Sequence, residues 1–172
     1  MSRRSAFTLI EMLIVLVVLA ILTMAALSGG QSAAQTEGRR AAEVFEGDVE
    51  YARSLTIARP DDPALIKVDV PNNRYWVAQA SAVDTPIVHP QTKRPFLRQF
   101  GPTAATGSKQ VQIAEIDLGG DAVLRFDATG GTDQQTPAVL QFTSGESNYE
   151  MSVSPAAANV TSSPKKTLAK AN

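Results

Sequence analysis

The chain has 172 residues, a formal net charge of −1 and no cysteine. That length holds one compact domain plus an appendage, and the near-neutral balance gives no global reason to expect nucleic acid or an acidic substrate. The missing cysteine excludes disulfides, thiol catalysis and cysteine metal sites.

The first element is an apolar run. From Phe7 to Leu27 only Thr8, Glu11 and Thr23 interrupt it. About 20 apolar residues suffice for a membrane-spanning helix. Arg3 and Arg4 precede the run and no basic residue follows until Arg39. The positive-inside rule then predicts a cytoplasmic N-terminus, with the remainder across the membrane. A cleavable secretory signal is the rival, with Ala26-Leu27-Ser28 as its cutting site. Its apolar core would be shorter, about 7–15 residues, and would not hold a glutamate.

"SGGQSAAQTEG" follows, small and glycine-containing, and is expected to weaken the helix where it leaves the membrane. Helical periodicity then returns in Ala41, Phe45, Val49, Ala52 and Leu55. Arg39, Arg40, Glu43, Glu46, Asp48, Glu50 and Arg53 fill much of the rest, so an amphipathic helix is predicted, ended by "RPDDP".

Beyond Pro63 the period falls to two. "LIKVDV" and "RYWVAQA" flank the turn "PNN" and read as a hairpin. A Pro/Thr/Gly-rich loop is predicted from about Val83 to Ser108. Strands are predicted in "VQIAEIDL", "AVLRFDA", "AVLQFTS" and "YEMSVS", with a bulge between Ile113 and Ile116, where the apolar face switches. The tail from Ala156 has little to bury and is expected to be disordered. The predicted organisation is a segment 1–6, a spanning helix 7–28, an amphipathic helix 29–60, an antiparallel β domain 61–155 and a tail 156–172. The helix stripe is predicted to pack on Val68, Val70, Phe126 and Phe142.

Few residues invite chemistry. His89 lies between prolines in a loop without a second histidine, so a surface role is expected rather than a ligand or base. No nucleophile elbow and no phosphate-binding glycine loop occur. "DLGGD" and "DATGGTD" set carboxylates beside glycines, but without EF-hand spacing, and read as turns. Tyr75 and Trp76 point to opposite faces of their strand, one expected in the core and the other as a contact surface. Lys93, Arg94, Arg98, Lys165, Lys166 and Lys170 form weak basic clusters that could touch DNA phosphates. A solvated loop and tail is the more economical reading, and nucleic acid is not an expected partner.

Glu11 remains. A charge at the centre of a spanning helix costs about 2.5–3.5 kcal/mol on insertion scales and tends to mark function. The stretch Arg4-Ser5-Ala6-Phe7-Thr8-Leu9-Ile10-Glu11 resembles the class III signal of type IV pilins and type II secretion pseudopilins. The resemblance implies cleavage between Ala6 and Phe7 by a prepilin peptidase, which makes 1–6 a cytoplasmic leader. It implies N-methylation of Phe7 and a glutamate at the fifth mature position, here Glu11. One departure is Ala6, where the family usually has glycine. In a filament of stacked helices the new ammonium of a neighbour would sit beside Glu11, each charge relieving the other's desolvation. Less specifically, "AEVFEGDVEYARSLTIAR", "RYWVAQ" and "AVLRFDATGG" are similar to H-type minor pseudopilins.

The resemblance implies a pilin-like α+β fold, a long N-terminal helix packed on a small antiparallel β-sheet domain. It implies a structural subunit with no catalytic residue, cofactor or metal. The role implied is a minor pseudopilin of a type II secretion system, near the pseudopilus tip. Its partners would be other pseudopilins, the prepilin peptidase, the inner-membrane assembly platform and membrane lipid. A single-pass inner-membrane protein with a periplasmic C-terminal domain follows. The alternative is a minor pilin of a type IV pilus that captures DNA.

Overall fold

The computed structural model describes residues 9–102, 104 and 108–166. The chain divides into two compact units, with the boundary between Ala33 and Ala34.

Helix α1 runs from Leu9 to Ala58, continuous through the Ser28-Gly29-Gly30 stretch expected to weaken it. No proline occurs between those ends. At the C-terminus Pro60 disfavours helical geometry at Arg59, and the Arg59 N–H closes the last turn on the carbonyls of Leu55 (2.9 Å) and Thr56 (3.1 Å). Buried Thr56 then fastens helix to sheet: its hydroxyl lies 3.1 Å from the Ala52 carbonyl and accepts from the N–H of Ala64 at 2.9 Å.

In the first unit Leu9 to Met24 form helix. Thr23, a polar interruption of the apolar run, donates its hydroxyl hydrogen to the Leu19 carbonyl at 2.7 Å and so carries its own hydrogen-bond partner. Among the described residues no helix is long and apolar enough to cross a membrane.

The second unit holds two four-stranded antiparallel sheets, where the sequence suggested one. The strands are β1 (Ala64–Asp69), β2 (Arg74–Gln79), β3 (Leu97–Gln99), β4 (Val111–Asp117), β5 (Val123–Arg125), β6 (Ala138–Ser144), β7 (Ser147–Val153) and β8 (Val160–Lys166). Sheet order is β3-β2-β1-β5 and β4-β6-β7-β8. The β1–β2 hairpin and the β4 irregularity lie where the sequence put them, the latter between Ile113 and Glu115.

Two stretches expected to lack strands contain them. The loop from Val83 to Ser108 contains β3, which is short and pairs Arg74–Trp76 of β2. The tail is ordered through Lys166: β8 pairs along all of β7, from Ser147↔Lys166 to Val153↔Val160. An edge strand needs a backbone ladder rather than a large apolar face, so poverty in apolar residues did not prevent it. Pro164, Lys165 and Lys166 suit a solvent-facing edge, where they discourage further pairing.

The hairpin turn joins the two sheets. Asn73 adopts a left-handed φ of 52°, tolerated by asparagine. Its side-chain amide donates to the Val111 carbonyl (3.1 Å) and its oxygen accepts from the Ile113 N–H (2.7 Å). The carboxamide thus takes the place of a strand neighbour at the start of β4.

The core forms as the apolar stripe of α1 covers both sheets. Phe45 meets Tyr75 of β2 edge-on at 5.3 Å between ring centroids and Phe142 of β6 at 5.9 Å. Val49, Ala52, Val68, Phe126, Leu140 and Met151 are buried around them, and Leu55 and Val70 are partly buried against them. Gly38 permits the approach to β7, because a Cβ there would lie 2.6 Å from the Tyr149 ring. Trp76 is buried too, contrary to the expected contact surface. It packs on Leu65, Ala78 and Val123 across the other face of the first sheet, with Val83 against them, and donates its indole N–H to the Val83 carbonyl at 2.9 Å.

Candidate functional site

The residues with an assembly role implied for them sit at the start of the chain. Ala6 and Phe7 lie outside the described residues. Glu11 occupies the first turn of α1, where the helix dipole favours an anion. Around and after it, every large apolar side chain from Leu9 to Met24 is between 47% and 85% exposed. A contiguous apolar surface of that extent requires lipid or other apolar helices around it.

A second constellation, missed in the sequence, lies inside the folded unit. Asp48 was grouped with the solvated charges of α1, yet it is only 5% exposed. It falls three residues after Phe45 and four before Ala52, on the flank of the apolar stripe, and that spacing was the available signal. Its carboxylate accepts the Tyr75 hydroxyl at 2.8 Å and a two-pronged contact from Arg98, Nε at 2.8 Å and a terminal nitrogen at 2.9 Å. The Arg98 guanidinium also lies 5.3 Å over the Phe96 ring. Burial, then the Asp48 carboxylate, pushes the Tyr75 phenol well above its ordinary value, and the Asp48 bond raises Arg98. Helix, central strand β2 and edge strand β3 are thereby locked to one carboxylate. This is a structural anchor.

The structure scatters the six basic residues. Arg98 is committed to Asp48, and Lys165 pairs with Glu150 at 2.7 Å. Lys93 and Arg94 are exposed in the turn after Val88. The Lys166 side chain and Lys170 lie outside the described residues. Arg98 and Lys165 sit on edge strands of different sheets, so no continuous basic track is assembled from the described members.

His89 caps its own turn. Its Nδ1 accepts from the N–H of Gln91 at 3.2 Å, and the ring lies 4.5 Å from that of Phe96. The Asp127 carboxylate, exposed, likewise caps its own turn, accepting from Thr129 N–H (2.8 Å), the Thr129 hydroxyl (2.6 Å) and Gly131 N–H (3.0 Å). The Thr129 hydroxyl is the chief reason its carboxyl sits below the usual range. Among the described residues no cluster of three histidine or acidic side chains could hold a metal ion.

With this geometry in hand, the likenesses fall in two places. The prokaryotic N-terminal methylation motif, a protein family, matches residues 1–27. The fold is similar to that of the minor pseudopilin EpsH from the Type 2 Secretion System of Vibrio cholerae. The TM-score is 0.51 at 14% sequence identity, over 76% of this chain and 97% of that one. That likeness makes the fold pilin-like, α+β, with helix on antiparallel sheet. No curated protein matches this sequence.

Proposed function

We propose that the chain is a minor pseudopilin of a type II secretion system. It is a structural subunit, anchored in the inner membrane by the segment from Phe7 to about Ser28, with its N-terminus cytoplasmic and the folded unit periplasmic. The observation that carries this reading is the pairing of the FTLIE motif, Glu11 five positions into the mature chain, with a pilin-like folded unit. Prepilin peptidase cuts between Ala6 and Phe7, the new amine is methylated, and the membrane-embedded helix stays attached to the fold. Glu11 then pairs with the Phe7 ammonium of a neighbour. In low dielectric that attraction offsets the desolvation of both groups and sets the axial register between subunits. The assembly platform and the other pseudopilins of the filament are the partners.

Processing and assembly test it separately. N-terminal sequencing of the membrane-extracted protein should read Phe-Thr-Leu-Ile-Glu with a methylated first residue. A periplasmic chain beginning near Gly29 would overturn the reading. Glu11→Ala should insert and be cleaved as before, yet co-purify poorly with its filament partners; normal co-purification would remove the ion pair. Deletion of the gene should block export of type II substrates. A deletion that leaves export intact and abolishes pilus-dependent DNA uptake would favour the pilin alternative.

A further inference from the structure

A groove of about 410 Å³ opens beside the C-terminal turns of α1. Its apolar walls are Leu55, Ile87 and Val88, with the Tyr51 ring at one side. Val88 is 64% exposed, the most exposed large apolar side chain among the described residues of the folded unit. Two donor-bearing side chains line the same groove, the Arg59 guanidinium and the Gln79 carboxamide, and neither has a partner among the described residues. The wall continues into more positive charge. Val88 bridges Pro95, and His89 N–H bonds the Arg94 carbonyl at 2.8 Å, which holds Lys93 and Arg94 on the turn that follows Val88. Nearby carboxylates are mostly engaged: Asp62 accepts from the N–H and hydroxyl of Ser81, and Asp84 pairs with Lys67. Asp61 alone is exposed without a partner. Three cations without an ion-pair partner, Arg59 in the groove and Lys93 and Arg94 on the adjoining turn, therefore stand against two carboxylates without one, Asp61 and Asp62.

Apolar walls with convergent unpaired donors select a particular occupant. The apolar volume takes an aliphatic or aromatic side chain, and the Arg59 fork takes a carboxylate beside it. The geometry points to this groove as the docking surface for a neighbouring, different pilin-like subunit, through a segment that presents an apolar side chain next to Asp or Glu. The inference rests on the filament reading above and adds to it a second contact, remote from Glu11 along the chain and made by the folded unit. A lipid headgroup, being anionic without the ordered apolar side chain, would leave Leu55 and Ile87 unfilled.

The test uses the full chain in its native host, with p-benzoylphenylalanine replacing Val88, and in a parallel strain replacing Leu16. Irradiation at Leu16 reports helix neighbours in the membrane and so tests the filament reading independently. The expected result at Val88 is a cross-linked peptide from another pilin-like subunit, with an apolar residue adjacent to Asp or Glu. Arg59→Glu should cut that yield about five-fold or more, the size of one rim ion pair, and reversing the partner's carboxylate to Lys should restore it. Arg59 is exposed, so the charge reversal leaves the fold intact; Arg59→Gln provides the milder control. Cross-links at Leu16 without any at Val88 would overturn the docking surface and leave the filament standing. So would a Val88 cross-link to lipid, to a second copy of this chain or to a basic segment, or one indifferent to Arg59→Glu. Failure at both positions would remove the filament reading and the docking surface with it.

Discussion

Helix α1 carries two regions with opposite relations to solvent. From Leu9 to Met24 its apolar side chains cover the whole circumference and all are substantially exposed; among the described residues of the folded unit the large apolar side chains left exposed are Val44, Ile57, Val88 and Leu97. The first region has no protein core to join and needs an apolar medium or other helices. The second confines its apolar residues to a stripe and spends them on Tyr75, Phe142 and their neighbours. One helix thus holds two kinds of information, a surface for assembly and a surface for folding. A substitution should disturb one without the other, and that separation can be broken experimentally.

The largest effect is expected at Phe45, 1% exposed and touching both sheets through Tyr75 and Phe142. Phe45→Ala should destabilise the folded unit by ~3–5 kcal/mol. Leu16→Ala, at a position 68% exposed, should leave the same transition within ~0.5 kcal/mol. Chemical denaturation of the detergent-extracted full chain, followed by Trp76 fluorescence, compares them. Equal losses would mean that the two regions of α1 unfold as one.

The next effect tests the buried anchor. Asp48→Ala strands the Tyr75 hydroxyl and leaves Arg98 without its carboxylate. Breaking a buried pair by removing one partner costs about 3–5 kcal/mol, and the lower end applies because Arg98 is partly wet. The anchor also predicts an alkaline limit. The folded phenol is held above its unfolded value, so its contribution is full below pH ~10 and lost as pH rises through the folded value. Stability should therefore fall above pH ~10, and Tyr75→Phe should flatten that limb. A limb unchanged in Tyr75→Phe would assign the loss to other groups.

What could be read from the sequence follows the same division. The apolar run, FTLIE and the stripe of Phe45, Val49 and Ala52 are local patterns, and local periodicity reports them directly. The hairpin and the β4 bulge were legible for the same reason. The second sheet's edge was not, because β8 gains its order from a ladder with β7 rather than from its own composition. Asp48 was obscured by residue type: a carboxylate reads as solvated until a tyrosine 27 positions away and an arginine 50 positions away are known to converge on it. Trp76 was misread because Val83, across a short 3-10 turn, covers the face that alternation alone assigns to solvent. The groove beside Leu55 was invisible for a related reason, since its walls come from α1, β2 and the segment before β3.

The smallest expected effect concerns Gly47. Glycine inside a helix is destabilising by roughly 0.5–1 kcal/mol relative to alanine, because its unfolded backbone has more freedom to lose. Gly38, nine residues earlier in α1, has a packing reason in the Tyr149 ring; Gly47 has none, since a Cβ there would meet nothing within 4 Å. Its helical geometry is open to any L-residue, so alanine fits without strain. Gly47→Ala should therefore raise the stability of the folded unit by about 0.5–1 kcal/mol in the same denaturation assay, while Gly38→Ala should lower it, because the Tyr149 ring must move. Opposite signs at two glycines of one helix would locate the close approach at Gly38 alone. A loss at Gly47 would show that something packs on that exposed flank in the intact protein, and would carry the boundary between the folding surface and the assembly surface up α1 beyond Met24.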